Sequence, residues 1–117
     1  MSEPTQKFQA SNRMHHSSEF DEVFKNPLKK IHGQGFLILA RRNLAAESKL
    51  GLVVGKKNLP KAVARNRFKR HVRESFRRHK AKHLQVVVLA TKRQQSQSNI
   101  QLRQQLDNAF QTLMQVA

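Results

Sequence analysis

The segment from Lys61 to Lys80, KAVARNRFKRHVRESFRRHK, constrains this chain more than any other. It carries nine Lys or Arg (Lys61, Arg65, Arg67, Lys69, Arg70, Arg73, Arg77, Arg78 and Lys80) against one acid, Glu74. Phe68, Val72 and Phe76 recur every four residues, which is the spacing of one face of a helix. Such a helix docks on its own protein through a thin apolar stripe and presents its other faces to a polyanion.

At about 100° per residue the segment divides into sectors. Ala64, Phe68, Val72, Ser75 and Phe76 form the docking face. Asn66, Lys69, Arg70, Arg73 and Arg77 form a basic face. Arg67, Glu74 and Arg78 share a flank, and Glu74 stands four residues before Arg78, the spacing of an ion pair. Arg65 breaks the pattern, because it falls at the edge of the apolar sector. Either the first turn deviates, or Arg65 reaches around the helix end. A soluble helix normally mixes charge signs, and this one hardly does.

The rest of the chain fits that picture. With 117 residues and a formal net charge of +16, it has room for one domain with a modest core. Self-repulsion on that scale calls for a partner that carries the opposite charge. Nucleic acid leads and an anionic membrane surface follows. The apolar stripe is too thin for an interfacial membrane helix, and no apolar run reaches the length of a spanning one. There is no cysteine, hence no disulfide framework or thiolate site. The N-terminus lacks the apolar run of a secretory signal, which fits a cytoplasmic address. Five of the seven acids precede Ser48, and only Glu74 and Asp107 follow it. The basic field therefore belongs to the second half.

Residues 1–16 read as a flexible arm, and 17–117 as a single α+β domain. Ser18 and Asp21 resemble a capping box that opens a short helix to Lys25, which Pro27 stops. Gly33 and Gly35 mark a turn. Phe36 to Ala40 and Leu50 to Gly55 read as two strands, with Asn43 to Ser48 as a polar loop that would make them an antiparallel hairpin. After the basic helix, Gln85 to Ala90 is a β-branched strand. Thr91 to Ser98 is a polar loop. Ile100 to Val116 is a last helix, with Leu102, Leu106, Ala109, Phe110, Leu113 and Met114 on one face. The predicted order is α-β-β-α-β-α, with helices packed on a small sheet.

Candidate chemistry is sparse. Gly51 to Lys57 lacks the spacer and the Ser or Thr of a phosphate-binding P-loop. His79 and His83 have the spacing of helical metal ligands but no obvious third partner. Asp21 and Glu22 are adjacent and point apart, so no carboxylate pair forms. We expect no catalytic residue and no metal ligand in the protein itself, and no small-molecule substrate. Phe20 and Phe24 have two readings, core residues or aromatics that stack single-stranded bases.

Ala64-Arg65-Asn66-Arg67-Phe68-Lys69-Arg70, followed by Arg73-Glu74-Ser75-Phe76, closely resembles the signature of the protein subunit of bacterial ribonuclease P. Gly51 to Lys57 is similar to that family's strand followed by paired lysines. Ser18 to Phe24 is similar to its first helix, and Gln85 to Ala90 to its third strand. The resemblance spans roughly residues 13 to 115. It implies a fold like ribosomal protein S5 domain 2, with a left-handed β-α-β crossover against the usual hand. It also implies a partnership with a catalytic RNA subunit that removes the 5′ leader of precursor tRNA, with magnesium serving the RNA-catalysed step and no cofactor bound by the protein alone.

Position by position, the resemblance implies RNA contacts from Lys56, Lys57, Lys61, Arg65, Asn66, Arg67, Lys69, Arg70, Arg73 and Arg77. It implies a leader cleft lined by Phe20, Phe24, Phe36 and Ile38. Three departures stand out. No aromatic follows Phe36 in its strand, where many relatives place Tyr. Gln85 stands where Asp is usual, and Met14 where Leu is usual. A ribosomal or other structural RNA-binding protein, with no part in cleavage, would share the charge and size.

Overall fold

The computed structural model describes residues 17–79, 82–92 and 98–116. The elements run α1 (Ser17–Lys25), β1 (Lys29–Gly33), β2 (Phe36–Glu47), β3 (Lys49–Val53), α2 (Ala62–His79), β4 (Lys82–Ala90) and α3 (Asn99–Val116). The α+β class stands, with one strand more than the pattern predicts. The predicted arm over 1–16 lies outside the described residues, as does the Ser18 side chain of the predicted capping box.

The added strand, β1, has the sequence KKIHG with a single aliphatic residue, so no apolar run betrays it. It forms because a two-residue turn, Gln34–Gly35, folds it back on β2, with Gly33 opposite Phe36. Gly35 takes a φ of 95°, which glycine adopts without strain. Gly33 is needed for space: a Cβ there would lie 2.3 Å from the Phe36 ring.

The four strands are ordered β1-β2-β4-β3. β2 is antiparallel to both β1 and β4, while β3 runs parallel to β4. The predicted β2–β3 hairpin is therefore absent. The segment expected to be its loop continues β2 to Glu47, with a register shift between Arg42 and Glu47, and β4 inserts between the two strands. Ser48, buried after that shift, accepts the Leu84 amide at 3.1 Å through its hydroxyl. That bond ties the start of β3 to β4.

The register gives the sheet two unlike faces. Phe36, Ile38 and Ala40 of β2 face the same side as Leu84, Val86, Val88 and Ala90 of β4 and Leu50 of β3. There they meet Phe68, Val72 and Phe76 of α2 and Leu102, Leu106, Ala109, Phe110 and Leu113 of α3. Fully burying residues of this size stabilises the fold by about 1.5–3 kcal/mol each. Phe76 and Phe110 meet edge to face with centroids 5.9 Å apart. Met114, expected on the same stripe, is exposed. Among the described residues, α1 packs on the opposite face, where Val23 joins Leu39 and Val87 with Phe20, Leu37 and Leu89 half-buried around them.

Helices α2 and α3 advance together: His71 and Glu74 meet Arg103, Ser75 meets Asp107, and Phe76 meets Phe110. They run parallel. A reciprocal capping box starts α3, with the Gln101 amide donating to Ser98 Oγ and the Ser98 amide to Gln101 Oε1, both at 3.2 Å.

Candidate nucleic-acid interface

Helix α2 buries the face that its spacing predicts: Phe68, Val72, Ser75 and Phe76 are buried and Ala64 packs partly against them. Its outer side is therefore cationic. Asn66, Arg67 and Arg70 are exposed, and Lys69, Arg73 and Arg77 are half-buried. Lys56 and Lys57 are exposed on the turn after β3, and Lys61 is exposed where α2 begins. These cations lie on one connected stretch, from the end of β3 along α2.

The acids that could temper this surface are drawn away from it. Glu74 does not pair with Arg78. It pairs with Arg103 of α3, whose Nη2 lies 2.9 Å from Glu74 Oε1. The one other acid after Ser48, Asp107, accepts the Ser75 hydroxyl at 2.5 Å and sits 3.9 Å from Arg103 Nε. A third bond joins the same seam: Arg103 Nη1 lies 3.1 Å from His71 Nδ1. Because a guanidinium only donates, this contact requires His71 Nδ1 to be the acceptor. Burial, and then the Arg103 charge, hold the His71 pKa below its ordinary value. Neutral His71, Glu74 and Asp107 thus gather around Arg103 and Ser75 in the seam between α2 and α3.

Arg65 resolves differently from its neighbours. It is half-buried, and its Nη1 donates to the carbonyls of Leu59 at 2.9 Å and Pro60 at 2.8 Å. The side chain curls back from the first turn of α2 onto the loop that leads into it. That loop is also held by Asn58 Nδ2, which donates to the Ala90 carbonyl at the end of β4 at 2.9 Å. The Arg-Asn-Arg start of the helix is thereby fixed against the sheet.

The second feature is the side of the sheet on which α1 packs, where the resemblance implies the leader groove. Phe20 is half-buried there, and Phe24 is exposed at 42%. Phe36 and Ile38, assigned to this cleft by resemblance, do not line it. They are buried at 1% and 0% on the opposite face, against α2 and α3. The reason is the two-residue period of a strand. Their neighbours Leu37 and Leu39 take the groove side instead, together with Val87 and Leu89 of β4. FLILA is apolar at every position, so the run itself gives no sign of which set faces which side. Sequence reasoning also missed Arg41, which follows Leu39 on the groove side and whose Nη1 donates to the Glu22 carbonyl near the end of α1 at 3.1 Å. Strand alternation from Leu39 would have found it.

The histidines of helical metal spacing are not brought together as ligands. His79 Nδ1 is 2.8 Å from the Ser75 carbonyl and its ring lies against Phe110, while His83 is exposed in a left-handed conformation with φ 60°. Among the described residues, no group of three or more His, Cys, Asp or Glu side chains could hold a metal ion.

Comparison with known proteins places this architecture. The family described as Ribonuclease P matches residues 8–114. The ribonuclease P protein component of Pseudomonas aeruginosa (strain LESB58) is 40% identical over 110 residues, covering 92% of this chain and 81% of that protein. That of Chromohalobacter salexigens is 37% identical over 110 residues, covering 92% and 86%. The solved ribonuclease P protein of Thermotoga maritima superposes with a TM-score of 0.73 at 33% identity, over 86% of this chain and 96% of that one. The protein from Staphylococcus aureus shares the fold, with a TM-score of 0.78 at 24% identity over 87% and 94%. A basic helix whose one acid turns to α3, with a short first helix on the other face of the sheet, is built here from a sequence matched almost end to end: the chain belongs to the ribonuclease P protein family, the protein subunits of the endoribonuclease of tRNA 5′ processing.

Proposed function

We propose that this protein binds the catalytic RNA of ribonuclease P through the outer side of α2 and the lysines before it, and holds the 5′ leader of precursor tRNA in the groove under α1. The observation that carries this reading is the separation of charge and apolar surface. Arg67, Arg70, Arg73 and Arg77, with Lys56, Lys57, Lys61, Asn66 and Lys69, offer donors suited to a phosphate backbone. Counterion release supplies affinity without regard to sequence, as binding to a folded RNA requires. The groove instead offers Phe20, Phe24, Leu37 and Leu89, partly accessible apolar surface on which single-stranded bases can lie.

In this division of labour the RNA performs the hydrolysis with magnesium, and the protein contributes grip. Arg65 acts mainly by fixing the loop and helix start from which its neighbours reach the RNA. Cytoplasmic residence suits such a partnership, and no helix among the described residues is long and apolar enough to cross a membrane.

The test is reconstituted cleavage of precursor tRNA at low magnesium, with the catalytic RNA alone and with the protein added. Cleavage at the mature 5′ end that depends on the protein supports the reading. Phe20→Ala should then weaken binding of precursor tRNA far more than of mature tRNA. Equal losses for both would remove the groove from the account.

A further inference from the structure

Helix α2 carries one acid, Glu74, and its place on the helix threatens the basic surface. Arg70 and Arg78, both exposed, stand four residues before and after it, where a carboxylate can reach a guanidinium along the helix. An arginine held in that way has a carboxylate where a phosphate would sit. Each such pair takes one charge out of an RNA footprint. Among the described residues Glu74 pairs with neither. Its Oε1 meets Nη2 of Arg103, 29 residues further along the chain on α3, at 2.9 Å.

Arg103 is fixed in the posture that makes this contact. Its Nη1 lies 3.1 Å from His71 Nδ1, and its Nε lies 3.9 Å from Asp107 Oδ1, which also accepts the Ser75 hydroxyl. Groups from both helices thus hold one half-buried guanidinium, and a network of this kind leaves the side chain little freedom to turn away.

We propose that Arg103 is a positioning residue for RNA binding, which draws Glu74 across the seam to α3 and keeps Arg70 and Arg78 open to phosphate. The inference rests on the reading that the outer side of α2 binds the catalytic RNA. Arg103 need not touch that RNA, because it acts through Glu74. Without the Arg103 charge, Glu74 remains ionised and turns to the cations of its own helix, and the protein loses the worth of about one phosphate contact. The basic helix therefore depends on a cation of α3 that its own sequence does not contain.

The experiment measures binding of the catalytic RNA to the full chain by filter binding, between about 50 and about 200 mM salt. Arg103→Gln removes the charge and keeps an amide donor. It should lower affinity about fivefold near 150 mM salt and reduce the slope of log affinity against log salt by about 0.9, the share of one phosphate. Adding Glu74→Gln to that variant should restore both to the wild-type values, because the acid to be restrained is gone. Arg103→Met serves in both backgrounds if the glutamine variant does not fold, as judged by its urea midpoint. A deficit that persists in the double variant would overturn the proposal, since it would put Arg103 itself on the RNA. So would wild-type affinity and slope in the single variant, because a purely structural role moves the midpoint alone. Arg70→Met tells the two readings apart: if it too binds RNA with wild-type affinity and slope, the assignment of RNA to the outer side of α2 falls, and this inference with it.

Discussion

Two backbone carbonyls, those of Leu59 and Pro60, hold the guanidinium of Arg65. A cation that the wheel placed awkwardly at the edge of an apolar sector is accounted for by its own chain. Arg65→Met should therefore destabilise the free protein by about 1 kcal/mol, because it takes the donor from the part-buried Leu59 carbonyl, whereas Arg70→Met should leave the urea midpoint nearly unchanged. Equal midpoints for the two variants would deny Arg65 its structural role. Gly33→Ala forces a methyl into the Phe36 ring and should cost about 1–3 kcal/mol in the same measurement. Residue identity alone made the basic side of α2 legible, since charge density needs no fold to be seen. It could not sort Phe36 and Ile38 from Leu37 and Leu39, because side in a strand depends on register against neighbours.

At the scale of elements, the seam between α2 and α3 links charge to acidity. His71 has its pKa lowered in the fold, first by burial and then by Arg103, with Arg70 and Arg67 acting in the same direction and Glu74 opposing. A group that binds its proton less readily when folded contributes stability that is full above its unfolded value and is lost as pH falls. The urea midpoint should therefore drop as pH is lowered through the ordinary histidine value of 6.5. His71→Gln, which keeps an acceptor for Arg103, should flatten that drop between about pH 7.5 and about pH 5.5. An unchanged slope would exclude His71 as its source. The helices themselves were readable from apolar spacing, and α2 matches its predicted span within a residue at each end. β1 was not, because hairpin pairing across Gln34–Gly35 holds it where composition does not. Nor was the place of β4, because pairing partners distant in sequence leave no local mark.

For the whole molecule, the decisive quantity is charge without compensation. The net charge is +16, and both acids of the second half are engaged at the α2–α3 seam. Affinity for the catalytic RNA should then fall about 10³–10⁵-fold between roughly 50 and 200 mM salt, as for six to ten neutralised phosphates. Filter binding across that range checks it, and a flat dependence would contradict the electrostatic account.

The order of the sheet has a consequence for how the chain comes into being. Its central partner, β4, is the last strand in the sequence, and it separates β2 from β3. While the ribosome is still adding residues before Lys82, β2 and β3 each lack the neighbour that they share, and α2 has no finished sheet to cover. The arginine-rich helix is therefore synthesised, and its cations are offered to any polyanion nearby, before the scaffold that orients them can close. Nascent chains of this protein should therefore adhere to nucleic acid earlier than they fold, until the nine residues of β4 emerge and let the sheet form.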